Sequence, residues 1–352
     1  MQEQKNIGTG KIAWRSPSNI ALVKYWGKKG RQIPANPSLS MTLSRAVTEM
    51  TLEYHSKDEN ESAWLEFYFD GHKQEKFEEK IAGYLQSLFA EYPFLSDLSF
   101  RVSSSNTFPH STGIASSASS MSALGLCLAE LAERFSGNFK DTSLFMREAS
   151  RLSRLASGSA CRSVYGGYVI WGFNPRIPGT SDEYAIPFPF EVHNAFRNMK
   201  DAILVVSGKE KEVSSRAGHA LMEGHPYAPA RYESAVNNIL DLSDALKKGD
   251  MEDFIRITES EALNLHALMM SSRESYLLLE PNTVNIVKSV RQFRKDSSVP
   301  LCFTLDAGPN VHLLYPAGYE SIVRSWIEEE LVKYCENGKW IDDRIGEGAE
   351  RL

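Results

Sequence analysis

Residues 98–131 constrain this chain more than any other stretch. An alternating run at 98–104 reads as a strand, and it delivers the chain into Pro109-His110-Ser111-Thr112-Gly113-Ile114-Ala115-Ser116-Ser117-Ala118-Ser119-Ser120. That small, hydroxylated segment passes without a break into the apolar helix pattern of Met121-Ser122-Ala123-Leu124-Gly125-Leu126-Cys127-Leu128-Ala129-Glu130-Leu131. Small side chains let a backbone approach an anion, and the helix start offers unpaired N–H groups and the positive end of its dipole. Phosphate fits there, with the Ser116 and Ser117 hydroxyls open to a phosphoryl oxygen or a metal-bound water. A Ser-rich loop ahead of a core helix is the plainer reading. The segment matches neither the Walker P-loop nor the Rossmann dinucleotide pattern.

Upstream, 11–15 alternates as a strand and meets Ser16-Pro17-Ser18-Asn19-Ile20-Ala21-Leu22-Val23-Lys24-Tyr25-Trp26-Gly27-Lys28-Lys29. Pro17 and Gly27 punctuate this segment, which holds three lysines, a Tyr and a Trp within six residues. Cations beside aromatics suit an anionic small ligand; solvated surface lysines are the alternative. The stretch 33–43, with two prolines, reads as a loop entering a strand, and 47–54 as a further strand. Residues 65–69 before Asp70-Gly71 read as a strand reaching a hairpin turn. Phe77, Ile81, Tyr84, Leu85 and Leu88 recur at helical spacing over 75–90. Asp141 or Thr142 caps a helix over 143–155.

A second small-residue loop, Ala156-Ser157-Gly158-Ser159-Ala160-Cys161-Arg162-Ser163, sets one arginine among Ser and Gly. Its planar fork suits a carboxylate or phosphate, although an arginine reaching solvent would look the same. The Pro-rich stretch 174–190 reads as the connection between two halves. A buried strand at 202–206 then opens into a charged loop at 207–218, and helices are expected over 230–247, 251–270 and 282–295. Strands at 301–305 and 311–315 flank Asp306-Ala307-Gly308-Pro309-Asn310. A carboxylate leading a Gly-Pro turn between apolar strands is the strongest catalytic candidate by spacing; an Asp capping a hairpin turn is the other reading. An amphipathic helix over 321–331 and a charged, glycine-bearing tail close the chain.

Composition narrows the class. At 352 residues, one large domain or two ordinary ones are expected, and a net charge of -6 argues against a general nucleic-acid binder. The four cysteines form no CxxC pair, which favours a reducing cytoplasm over a disulfide framework or a zinc site. The eight histidines show no metal-ligand spacing, and His312 on an apolar strand reads as a core or rim residue. The polar N-terminal residues carry no secretory signal, and no apolar run reaches the roughly 18 residues of a membrane span. The expectation is a soluble, cytoplasmic protein with neither nucleic-acid nor membrane partners.

The segments SPSNIALVKYWGK from Ser16, NPSLSMTL from Asn36, Phe108-Pro109 with GIASSA from Gly113, SGSACRS from Ser157 and DAGPN from Asp306 together resemble the diphosphomevalonate decarboxylase family. This is a branch of the GHMP small-molecule kinase superfamily. The matches keep the family's order over roughly residues 12 to 315. The resemblance implies an α+β, GHMP kinase-like two-part fold. Residues 1–190 would form a half like domain 2 of ribosomal protein S5, carrying the ATP phosphate loop. Residues 191–352 would form a ferredoxin-like half, with the active site in the cleft between.

The resemblance also implies a reaction. ATP phosphorylates the 3-hydroxyl of (R)-5-diphosphomevalonate; phosphate and CO2 then leave, giving isopentenyl diphosphate. Asp306 matches the aspartate that accepts or orients the hydroxyl proton. Arg162 matches the arginine on the substrate carboxylate, and Lys24 the lysine beside the reacting centre, where a cation would keep Asp306 ionised. Tyr25, Lys28, Ser157, Ser159 and Arg216 match the groups that grip the diphosphate. Gly113, Ala115, Ser116 and Ser117 match the ATP phosphate loop, with Mg²⁺ bridging phosphate oxygens near Ser116 and Ser117. Ser105 and Asn106 are further candidates for the nucleotide pocket. A homodimer comes with the resemblance, since no residue here specifies an oligomeric state.

Two departures bear on the phosphate end of the substrate. Pro109-His110-Ser111-Thr112-Gly113 stands where the family usually has Pro-Thr-Ala-Ala-Gly, and Ala217 and His219 stand where acidic or polar residues and Met are commoner. Sister readings therefore stay open: a 5-monophosphomevalonate decarboxylase, a mevalonate 3-kinase, or a non-catalytic binding protein on the same fold.

Overall fold

The computed structural model describes residues 8–58, 63–108, 116–209 and 213–352. The loop 109–115, with His110, Gly113 and Ala115, lies outside the described residues, as do 210–212 and the side chain of Ser116.

Two antiparallel strands of unusual length, Gly10–Val23 and Ser38–Ser56, centre the first sheet, paired from Gly10↔Tyr54 to Val23↔Leu39. Leu98–Asn106 pairs antiparallel to Ser38–Ser56, and Leu65–Phe69 lies parallel to Leu98–Asn106. Tyr168–Trp171 pairs with the opposite end of Ser38–Ser56. Burial alternates over 10–15, as it must where one sheet face meets water, and becomes continuous from Ser16 on. There Ile20, Leu22 and Val23 pack with Ile239, Phe254 and Ile257 of the second half.

This corrects the reading of 16–29 as a loop: the strand runs on to Val23. Pro17 is tolerated because the register shifts between Pro17 and Asn19, a bulge where a missing amide costs no ladder bond. The two segments expected at 33–43 and 47–54 are likewise one strand, Ser38–Ser56, bent at the same irregularity.

Helices Ser116–Ser136 and Thr142–Ala156 cover one face of this sheet, where Leu124, Leu128 and Leu152 join Met50, Leu52 and Val102 in the core. Gly125 lets the two helices meet, since a Cβ there would stand 2.7 Å from the Ser153 nitrogen. Asp141 caps the second helix as expected, accepting from the N–H groups of Ser143 and Leu144 at 2.8 and 3.1 Å. Asp70 and Gly71, both at positive φ, make the hairpin turn after Leu65–Phe69.

The second sheet is antiparallel, ordered Cys302–Leu305, Val311–Pro316, Met199–Leu204, Trp340–Arg344. Helices Ala228–Lys248, Met251–Met270 and Pro281–Ser297 pack around it, with Ile286 and Val290 among Phe303, Leu313 and Tyr315. The helix expected at 321–331 is helical from Glu320–Trp326 and widens to a π turn at Ile327–Leu331. The charged tail is not a loop: Trp340–Arg344 is an edge strand here, and Glu350–Arg351 returns to pair with Trp14 and Arg15. His312 is buried, its Nδ1 2.7 Å from Asp201 Oδ2. All four cysteines are buried and unbridged. No helix among the described residues is long and apolar enough to cross a membrane.

Candidate active site

Where the two halves meet, they enclose a cleft of about 350 Å³. Its walls come from chain turns. The bulged end of Gly10–Val23 supplies Asn19 and Ala21, and the residues just after it supply Lys24, Tyr25, Trp26 and Lys28. The tight turn Gly158–Val164 and its flank supply Ser157, Ser159 and Arg162. Asp306 arrives at the end of Cys302–Leu305. A short helix, Ser215–Ala220, whose Ser214 hydroxyl accepts from Ala217 N–H at 3.2 Å, supplies Arg216 and His219. Ser117 enters from the first turn of Ser116–Ser136, and Lys80 from the helix Glu75–Gln86.

Arg162 is 3% exposed and held in place: Nη1 donates to Ser38 Oγ at 2.7 Å and Nε to Asn19 Oδ1 at 3.2 Å. Asn19 is itself oriented by donating to Ser163 Oγ at 2.7 Å. Lys24 is 1% exposed and donates from Nζ to the Ala21 carbonyl. Its backbone is clamped by the other half, since Lys24 N–H donates to Glu261 Oε2 and Arg231 Nη2 donates to the Lys24 carbonyl, each at 2.8 Å. His266 Nε2–H donates to the Asp306 carbonyl at 3.1 Å. The Tyr25 hydroxyl is buried without a partner among the described residues, and Tyr25 packs edge-on to Trp171 at 4.6 Å. Gly158 is required beside it, since a Cβ there would lie 2.9 Å from that hydroxyl.

The charges fall into two groups. Asp306 acts electrostatically on both Lys24 and Arg162. Burial holds the Lys24 ammonium down to about 8, against the opposing pull of Asp306 and Glu261. The second group is cationic alone: Lys28 is pushed below the usual lysine range by burial and then by Arg216 and Lys80. His219 lies between the groups. Burial and the Lys28 charge lower it to about 3, with Asp306 opposing, so it is neutral. Among the described lining residues, five basic side chains (Lys24, Lys28, Lys80, Arg162, Arg216) face one carboxylate, Asp306. Such a cleft is built for polyanions.

The structure thus gathers Asp306, Arg162, Lys24, Tyr25, Lys28, Ser157, Ser159, Arg216 and Ser117 around one space. It does not bring Ser105 and Asn106 there. Ser105 pairs opposite Glu49 and is exposed, while the Asn106 side-chain carbonyl accepts from the Thr48 hydroxyl at 2.8 Å. That hydroxyl also lies 2.6 Å from Ser119 Oγ, so Asn106 braces the first turn of Ser116–Ser136 and does not line the cleft. Sequence reading missed Lys80, whose charged face looks like any solvated helix surface. It also missed Glu261, Arg231 and His266, which stand behind the lining. Asn19 lay inside the quoted Ser16 segment, but only the bulge turns it inward.

Hard oxygen donors suit magnesium, and Asp306 and Ser117 supply them. Among the described residues no group of three or more His, Cys, Asp and Glu side chains could hold a metal alone. The donor set therefore fits an ion that arrives on nucleotide phosphates.

Residues 16–183 match the family model described as diphosphomevalonate decarboxylase-like N-terminal domain, and residues 202–343 match the mevalonate 5-diphosphate decarboxylase C-terminal domain. The chain is 30% identical to the diphosphomevalonate decarboxylase of Saccharomyces cerevisiae, over 89% of this chain and 79% of that one. Its fold superimposes on mevalonate diphosphate decarboxylase from Staphylococcus aureus with a TM-score of 0.82 at 28% identity, covering 98% of each chain. A structure of MDDEF in complex with MVAPP, AMPPCP and magnesium gives a TM-score of 0.83 at 26% identity, covering 98% of this chain and 99% of that one. The α+β, GHMP kinase-type architecture expected from the sequence is therefore present, and the chain belongs to the diphosphomevalonate decarboxylase family.

Proposed function

We propose that this cleft carries out the ATP-dependent decarboxylation of (R)-5-diphosphomevalonate to isopentenyl diphosphate, with ADP, phosphate and CO2 as the other products. The observation that carries the reading is the division of charge. One carboxylate, Asp306, stands with Lys24 and Arg162, and a purely cationic group, Lys28, Lys80 and Arg216, stands apart from it. A substrate with a diphosphate at one end and a tertiary alcohol and carboxylate at the other matches both groups.

In this reading Lys28, Arg216 and Lys80 bind the diphosphate, with Tyr25, Ser157 and Ser159 as hydroxyl partners. Arg162 holds the carboxylate in a pose fixed by Ser38 and Asn19. Asp306 takes or orients the proton of the 3-hydroxyl while its oxygen bonds to the γ-phosphorus and ADP leaves. Then the bond from C3 to its new phosphate breaks with its electron pair. The bond from C2 to the carboxylate supplies the electrons for the new C=C, and CO2 departs. Lys24 places positive charge beside the oxygens that gain negative charge. Ser117 and the start of Ser116–Ser136 face the nucleotide phosphates. Magnesium, when bound with ATP, bridges phosphate oxygens and neutralises part of their charge. Little covalent chemistry is asked of the protein, so positioning dominates.

Family membership supports a homodimer, and the unbridged cysteines agree with a cytoplasmic location. The two family matches, 16–183 and 202–343, favour a division near residue 190.

The test uses 5-diphosphomevalonate labelled at the carboxyl carbon. Purified protein with Mg-ATP should release ADP, phosphate and labelled CO2 in equal amounts, and Asp306→Asn should lower kcat by about a thousandfold. ADP without CO2 would mean a 3-kinase, and turnover of only the 5-monophosphate would move the substrate assignment. No turnover of either would overturn the enzyme reading.

A further inference from the structure

His219 is a polar ring in a place where apolar contacts already suffice. It lies between the rings of Tyr25 and Trp26, with centroids 4.3 and 4.5 Å away, and is 9% exposed. The Gly27 N–H donates to its Nδ1 at 3.0 Å. A nitrogen that accepts cannot carry the ring proton, so in the neutral imidazole the proton sits on Nε2. Among the described residues nothing accepts that Nε2–H. The ring lines the cleft at the junction of its two charge groups, in the fields of Lys28, Asp306 and Arg162. Stacking on both faces and a bond at Nδ1 leave the donor one orientation, so little freedom remains to be lost on binding.

We propose that His219 is a substrate-binding residue whose fixed Nε2–H donates to an oxygen of the phosphoryl group nearest the mevalonate carbon chain. This rests on the diphosphate reading above and assigns that phosphoryl group a neutral donor among cations. Neutrality matters at this position. An imidazolium would add charge beside Lys28 and compete with Lys24 and Arg162 for Asp306. A neutral donor adds direction without charge, because a hydrogen bond depends on angle where a bare cation does not.

Two variants separate binding from packing. His219→Asn keeps an acceptor oxygen for the Gly27 N–H and removes the donor at the Nε2 position; His219→Gln reaches that position with an amide N–H. The expected result is a KM for 5-diphosphomevalonate about ten- to a hundredfold higher in His219→Asn, consistent with losing a hydrogen bond to a charged group. Its kcat and its KM for ATP should stay within about twofold, and His219→Gln should recover most of the loss. A loss falling on kcat or on ATP, or no loss at all, would overturn the proposal.

Nitrogen-15 spectra of the labelled protein supply a readout independent of turnover. The neutral Nε2–H tautomer should be present at pH 7, and its proton should move downfield on titration with inorganic pyrophosphate but not with mevalonate. An Nδ1–H tautomer, a response to mevalonate alone, or no response to either would overturn it. Because this titration needs no catalysis, an inactive wild type would sink the decarboxylase reading and leave the His219 result to stand on its own.

Discussion

At Lys24 two influences oppose each other. Burial favours the neutral amine, Asp306 and Glu261 favour the ammonium, and the balance leaves the group at about 8 where a free lysine has 10.5. Between those values the unfolded chain binds more protons than the folded one, so stability rises with pH across that window. Activity runs the other way, since the charged form is the one beside the reacting oxygens. We expect kcat/KM, which reports the free enzyme, to fall above pH about 8. The break in kcat should come at higher pH, because bound anionic substrate favours the ammonium. Lys24→Met should lower kcat by about a hundred- to a thousandfold, the scale of one lost charge stabiliser. In Lys24→Arg the alkaline limb of kcat/KM should move beyond reach, and a limb left at its wild-type position in that variant would assign the titration to another group. The residues that carry this chemistry were legible because they sit on turns. Lys24 and Lys28 flank Gly27, Arg162 lies among Ser and Gly, and Asp306 precedes Gly-Pro. Chemistry-bearing side chains in such settings stand out from the periodic background around them.

The irregularity between the two long strands makes a different demand. Asn19 pairs with Thr42 and Pro17 with Val47, so residues 43–46 of one strand face a single residue of the other. Their amides have no ladder partners. The Asp343 carboxylate fills the gap, Oδ1 accepting from Ser44 and Arg45 N–H at 2.9 Å each and Oδ2 from Ala46 N–H at 2.8 Å. Asp343 lies on Trp340–Arg344 of the second sheet, so one buried carboxylate both completes the bulge and joins the sheets. Asp343→Ala should cost about 2–4 kcal/mol of stability, the scale of unpaired amides partly reached by water, and Asp343→Asn about half that. Urea unfolding checks both, and an alanine variant within about 0.5 kcal/mol of wild type, the range of an ordinary surface change, would remove this role. Sequence could not have shown this element. The bulge leaves no mark in the alternation, and Asp343 sits in a charged tail while its partners are backbone groups some 300 positions away. The reading succeeded where one local signal decides, as at Asp141 and Asp70-Gly71. It failed where distant packing decides, as at 16–23 and 340–351.

Across the whole molecule, one helix sets the distance between the two halves of the chemistry. Met251–Met270 carries Glu261, which accepts the Lys24 N–H, and His266, which donates to the Asp306 carbonyl. Glu261 is itself fixed by a bidentate Arg231 at 2.7 Å on both oxygens and by Asn238 at 2.6 Å, and Arg231 closes the ring by donating to the Lys24 carbonyl. Lys24 belongs to the first half and Asp306 to the second, so this clamp is what holds them in one constellation. Removing one member leaves the other buried and uncompensated: Glu261→Ala should cost about 3–5 kcal/mol of stability and lower kcat as well. Arg231→Met with Glu261→Leu replaces the ion pair by apolar volume, which is often neutral for stability. Denaturant midpoints for that double variant should therefore return near wild type. Its kcat should stay low, because the Lys24 N–H and carbonyl still lack their partners and the ammonium is no longer held against Asp306. Recovery of kcat together with stability would show instead that the pair only holds the halves together, and that the Lys24–Asp306 geometry is set by the first sheet alone.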